Sequence, residues 1–344
     1  MNETKKSPQM YRWALAATAF CVIVVVLGAF TRLVDAGLGC PDWPGCYGHL
    51  TWPKSDEAVA RAEAAFPEFP VEHDKTWPEM VHRYAAGILG LMILGLTIAT
   101  WRRASRDPEH SYPRKLTLGL LILVIVQALF GMWTVTLKLW PQVVVAHLLG
   151  GFATLSLLWL LSQRYAGHRW RMPSNSVRRL RGITSLLWLV IIVVVAQIAL
   201  GGWVSANYAA LACTDFPQCH GQWWPEMDFR QGFNFAQDVG PNYLGGLLES
   251  DARTAIHVTH RLGALVVILL AGLLCWRLWQ IKHRRPQRMA LIIAGVLAVQ
   301  VALGVTNILA SLPLAVAVAH NAGGALLLLT LVTLAHRTYT AQRH

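Results

Sequence analysis

Charge is scarce in this sequence. Only 14% of the 344 residues are Asp, Glu, Lys or Arg, while 55% are hydrophobic, and the mean hydropathy is +0.42. Soluble domains carry about 25% charged residues. The shortage excludes a soluble domain and leaves a polytopic membrane protein. A cleavage signal is missing too. No small-residue pattern follows the first apolar run, near 13–31, and that run has a counterpart later in the chain. It is therefore expected to be a retained helix. Acids are scarcer than bases, 18 against 30, for a net charge of +12. Such an excess suggests nucleic acid at first sight, but its distribution argues against that.

What is present is a series of apolar runs of about 20 residues, the length that crosses a bilayer core. They fall near 13–31, 80–100, 116–136, 142–163, 183–205, 254–276, 289–310 and 315–336. An all-α integral membrane protein with eight spans follows. The N-terminal tail, the connections 101–115, 164–181 and 277–288, and the C-terminal tail hold most of the 30 Lys and Arg. Their only acids are Glu3, Asp107 and Glu109. By the positive-inside rule that side is cytoplasmic, with both termini. The basic excess is thus a topology signal, helped by anionic membrane lipid, and no nucleic-acid partner is expected. Two large outer loops, about 32–78 and 206–252, lie opposite. Tryptophans near helix ends, such as Trp77 and Trp140, suit interfacial belts.

The chain repeats itself. At an offset of 173, GAFTRLVDAGLGCPDWPGCYG (28–48) matches GGWVSANYAALACTDFPQCHG (201–221), and VVVAHLLGG (143–151) matches VAVAHNAGG (316–324). His82-Arg83 returns as His260-Arg261. The expected architecture is two tandem four-helix bundles related by an axis along the membrane normal. One half covers 1–166, a basic cytoplasmic linker 167–182, and the other half 183–344.

Four histidines then stand out, one on the second and one on the fourth helix of each half: His82 with His147, and His260 with His320. His147 and His320 follow Pro141 and Pro313 by six or seven residues, so at about 1.5 Å per residue they lie roughly 10 Å below the outer helix ends. Two imidazoles at matched depth on facing helices make a bis-histidine heme site. Gly150-Gly151 and Gly323-Gly324 are expected to let a flat macrocycle approach the backbone. Zinc fits poorly, because neither half offers the further ligands that it prefers. His257, three residues before His260, aligns with Glu79 and reads as a neighbour of the ligand.

Ionisable groups in a membrane helix are costly and mark function. Glu79, His82 and Arg83 are such a cluster, at the mouth of the second span. The i, i+4 spacing of Glu79 to Arg83 suits a structural ion pair. Arg83 and Arg261 are candidates to face heme propionates, to cap a helix or to contact phosphate. Cys40/Cys46 and Cys213/Cys219 lie in the outer loops, where disulfides form. They read as loop staples or as dithiol/disulfide pairs that exchange electrons.

TRLVDAGLGCPDWPGC, EMVHRYAAG, AHLLGG, AHNAGG and ACTDFPQCHG together resemble the bacterial heme A synthase family, over nearly the whole chain. The resemblance implies a membrane-bound oxidoreductase of the inner membrane. Its members convert heme O to heme A for terminal oxidases, oxidising the C8 methyl to a formyl group through successive hydroxylations and loss of water. It implies a resident heme b on His260 and His320, and heme O, becoming heme A, on His82 and His147. It implies a catalytic Glu79 and an important Cys40–Cys46 pair. Partners implied are the farnesyl-transferring heme O synthase, oxidase assembly factors and an electron acceptor of unknown identity. Small-residue helix faces permit a homo-oligomer. Two other readings share the histidines: a di-heme b electron carrier resembling quinol oxidoreductases, and a heme transporter or chaperone. Neither accounts for Glu79 lacking a counterpart.

Overall fold

A computed structural model describes residues 7–343; Glu3 of the N-terminal tail lies outside them. Eight described helices are long and apolar enough to cross a membrane. They are α1 (Pro8–Leu33), α3 (His73–Arg106), α4 (Arg114–Thr136), α5 (Pro141–Ala166), α7 (Thr184–Ala206), α9 (Ser250–Trp279), α10 (Arg284–Leu309) and α11 (Leu314–Thr340). Shorter helices are α2 (Asp56–Ala65), α6 (Ser174–Gly182) and α8 (Phe229–Gly232). Strand β1 (Arg171–Met172) pairs in parallel with β2 (Gln342–Arg343).

The eight long helices coincide with the eight apolar runs, but their ends do not. The start of α3 at His73 precedes its apolar run by two turns, and Pro78 lies inside it. A helix satisfies its own backbone groups, so it continues past the hydrocarbon into the polar boundary, where hydropathy no longer marks it. Glu79 and His82 consequently sit within a formed helix and not at its first residue. The outer loops also contain elements that apolar runs do not signal. Ser55 Oγ caps α2 by accepting from the Ala58 N–H at 3.3 Å, and Asp56 and Glu57 favour its first turn. In the basic linker, Val177 and Leu180 are buried, which turns that stretch into an amphipathic helix.

Helix α1 packs on α3 and α5, and α4 packs across α3 and α5. Likewise α7 packs on α9 and α11, and α10 across α9 and α11. The two sets meet through α5 with α7, α1 with α11, and α5 with α11. Ala14 and Ala17 of α1 are fully buried, and α1 packs on α5 and α11; small side chains allow close helix approach. The outer helices present Ile122, Ile125, Leu291 and Val299 on the exposed surface, as lipid requires.

At the end that carries the cysteine loops, the sets are joined by polar contacts. Arg32 donates to the Ser205 carbonyl at 2.5 Å and lies 4.3 Å from the centre of the Tyr208 ring. Tyr208 O–H donates to Asp35 at 2.9 Å. The second cysteine-bearing loop also reaches across: Tyr243 N–H donates to the Lys138 carbonyl at 3.0 Å, and Gln142 donates to the Phe235 carbonyl.

Candidate functional site

The two cysteine loops are built alike. Disulfides join Cys40 to Cys46 and Cys213 to Cys219. In each loop an aspartate two residues after the first cysteine holds the turn. Asp42 accepts from the N–H groups of Tyr47 (2.6 Å) and Gly48 (2.8 Å), and Asp215 from those of His220 and Gly221 (both 2.9 Å). The turn needs positive φ at its last two residues: 54° at Tyr47 and 74° at Gly48, 55° at His220 and 70° at Gly221. This explains why the repeat keeps Asp and the final Gly. These N–H groups, Gly221 first, hold the Asp215 carboxyl below its usual range. Burial, and then Glu72, push the Tyr47 phenol up to about 12. It stays protonated and donates to the Pro70 carbonyl at 2.9 Å. All four bonded cysteines are buried, so a thiol could reach them only after the loop moved.

Each loop is lashed to its helix by an arginine. Arg83 Nη1 donates to the carbonyls of Asp42 (2.9 Å) and Gly45 (2.6 Å). Arg261 donates to the carbonyls of Gln218 (2.8 Å), Asp215 (2.9 Å) and Cys213 (3.1 Å). Both arginines thus bind loop carbonyls, a role different from the helix cap expected of them. Arg261 Nε remains buried without a partner, a donor still free for a further acceptor.

Glu79 is 4% exposed. One carboxylate oxygen takes the Arg83 guanidinium. The other accepts from the Cys40 N–H at 2.9 Å. The carboxylate therefore ties the disulfide loop, Arg83 and the helix that bears His82 into one unit. Its counterpart is different: His257, also buried, has Nδ1 2.8 Å from the Ala209 carbonyl. An ion pair held against a cystine loop in one half is replaced by an imidazole on a loop carbonyl in the other.

The four repeat-related histidines are brought together in the expected pairs of helices. The rings of His82 and His147 face each other across α3 and α5, with centres 6.4 Å apart and planes at 90°. His260 and His320 occupy the corresponding places on α9 and α11. Each ring lies against a glycine of a neighbouring helix. A β-carbon at Gly28 would stand 2.8 Å from His82 Cε1, one at Gly304 3.0 Å from His320, one at Gly201 3.2 Å from His260, and one at Gly131 3.4 Å from His147. These are the glycines that make room. Gly150 and Gly323, expected to accommodate a macrocycle, instead face Gln127 and Gln300. Spacing alone hides this, because the contact comes from another helix.

The donor set fits a heme. A metal–imidazole bond is about 2 Å long and the ring centre lies about 1 Å beyond its nitrogen, so two imidazoles on one iron have centres roughly 6 Å apart. The His82–His147 spacing matches.

Sequence comparison bears on the whole chain. A family profile described as cytochrome oxidase assembly protein matches residues 11–332. The protein called heme A synthase from Shewanella oneidensis is 44% identical over 323 residues, which cover 94% of both chains. That from Maricaulis maris is 26% identical, covering 99% of this chain and 98% of the relative. That from Halalkalibacterium halodurans is 27% identical over 87% of each. With a profile that spans nearly its full length and a relative this similar end to end, the chain belongs to the bacterial heme A synthase (COX15-CtaA) family.

Proposed function

We propose that this protein is a heme A synthase of the bacterial inner membrane, which oxidises the C8 methyl of heme O to the formyl group of heme A. The observation that carries the reading is the asymmetry of the matched halves. Repeat-matched histidines occur in both, but only the first has a buried carboxylate, Glu79, one turn before its histidine. His82 and His147 would hold the substrate, heme O, and His260 and His320 a resident heme b. When bound, heme b supplies one-electron transfer.

The chain's own groups do the rest. His82 and His147, with ring centres 6.4 Å apart, would hold the substrate ring between α3 and α5. Glu79 accepts a proton from water as oxygen is added to the methyl carbon. Arg83 holds one carboxylate oxygen and the Cys40 N–H the other, which fixes the base in position. The cystine loop acts here as the platform for that base, and its arginine lashing favours the staple over electron exchange. Removing electrons from the methyl group needs an outlet, and the second half, which lacks the carboxylate, suits electron handling.

The tandem arrangement belongs to the same proposal: two four-helix units, 1–166 and 183–344, about an axis along the membrane normal, with both termini cytoplasmic. Matched helix packing and the meeting of Arg32 and Asp35 with Ser205 and Tyr208, their own repeat equivalents, support it. So does the charge asymmetry between the two ends.

Co-expression with a heme O source, followed by pigment extraction, tests the function. Heme A should appear. Two molecules of heme b and no heme A would point to an electron carrier instead. Glu79→Gln should abolish heme A formation while both histidine pairs still bind heme. Normal turnover in that variant would remove Glu79 from the mechanism.

A further inference from the structure

Three of the four histidines share a device that the fourth lacks. On the helix of His147, His260 and His320, the residue three positions later is a glycine: Gly150, Gly263 and Gly323. Against each glycine lies the amide of a glutamine from a neighbouring helix. A β-carbon would meet Gln127 Oε1 at 2.0 Å, Gln197 Oε1 at 2.1 Å and Gln300 Oε1 at 2.2 Å. The same amides reach the histidines. Gln127 donates to the His147 carbonyl at 2.8 Å. Gln197 donates to the His260 carbonyl at 2.8 Å and lies 3.0 Å from its Nδ1. Gln300 Nε2 lies 3.4 Å from Nε2 of His320, the other ring nitrogen. Oε1 of Gln197 and Gln300 is otherwise buried without a partner.

At His82 both members of the pair are changed together. The repeat equivalent of Gly263 is Ala85, and that of Gln197 is Val24. The coupling is steric: a methyl group on the histidine's helix would expel the amide, and without the amide nothing requires glycine. Val24 and Ala85 are both buried in apolar packing, so no amide from that position reaches His82.

We propose that the glutamine–glycine pairs orient His147, His260 and His320 as firm ligands, and that His82, which has none, is the ligand that yields. Substrate heme would then be anchored on His147 and exchanged through His82, while heme b is held firmly on both sides. The proposal rests on the reading of the four histidines as heme ligands. Gln127, Gln197 and Gln300 are positioning residues, since they act through the histidines.

The test exchanges the device between halves in the full-length protein in lipid nanodiscs. Val24→Gln/Ala85→Gly installs it in the first half, and Gln197→Val/Gly263→Ala removes it from the second. The readouts are the rate of heme transfer from each site to a globin scavenger and the low-spin electron paramagnetic resonance signal, which reports ring orientation. A hydrogen bond of ordinary strength changes these rates on the order of three- to tenfold. Installation should slow heme loss from the first site by that factor, and removal should speed heme loss from the second and shift its resonance. Destabilisation alone cannot produce slower loss. Unchanged or faster loss from the first site after installation overturns the proposal. Wild-type protein that binds no heme at either pair overturns the ligand reading as well, a distinct result.

Discussion

Gly28→Ala is the sharpest test of the first site. The added methyl group would stand 2.8 Å from His82 Cε1 and 3.2 Å from its Nε2. Carbon atoms rest at about 3.5–4.0 Å, so ring and backbone must separate by several tenths of an ångström. Overpacking of this kind costs about 1–3 kcal/mol. If the cost falls on ring position, heme affinity at His82–His147 drops roughly 5- to 150-fold, at 1.4 kcal/mol per factor of ten. Heme titration of the purified protein measures it, with a thermal melt to separate loss of ligand from loss of fold. The companion substitutions should grade with the space available. Gly304→Ala (3.0 Å) and Gly201→Ala (3.2 Å) should weaken the second site, and Gly131→Ala (3.4 Å) should have the smallest effect. Gly119→Ala, with open space around it, should behave as wild type. Unaltered heme affinity in Gly28→Ala would refute the claim that His82 is confined by that contact.

Other expectations follow from the loops. Asp42→Ala removes the acceptor for two backbone N–H groups and should lower stability by about 1–3 kcal/mol, read as an earlier thermal transition. Arg261→Leu abandons three loop carbonyls; the Cys213–Cys219 bond should then be reduced faster by a small thiol, while unchanged reduction would exclude the lashing role. Because the Asp215 carboxyl is held below its ordinary value, its stabilising effect is complete at neutral pH and disappears as pH falls through the depressed pKa. Melting points of wild type and Asp215→Asn should therefore differ at pH 7 and converge in acid. Tyr47, raised to about 12, should give no phenolate absorbance in a titration to pH 10.

Membrane character, eight spans and the internal repeat were legible because each is a local or periodic property of the chain. Twenty apolar residues need no partner to be recognised, and two copies of C-x-D-x-P-x-C-x-G announce one turn made twice. The histidines were legible for the same reason: their repeat-matched depth does not depend on how the helices pack. The span boundaries were not, since α3 continues to His73 on backbone hydrogen bonds that hydropathy does not register. The glycine contacts were not either. Gly150 sits beside His147 in sequence and suggested space for a macrocycle, yet it receives Gln127. Gln197 has no polar counterpart at Val24, so the repeat drew no attention to it.

By itself, then, the sequence determined the class of protein, the two cystine loops as paired elements, and the four histidines with the unmatched Glu79. Tertiary structure alone decided what those groups touch. It put the Cys40 N–H on Glu79 across 39 positions of chain, Arg83 and Arg261 on loop carbonyls, and an amide beside three histidines but not the fourth. The physical reason is that composition and period record what a residue is and which face of its own helix it occupies, whereas hydrogen-bond partners depend on how separate helices dock.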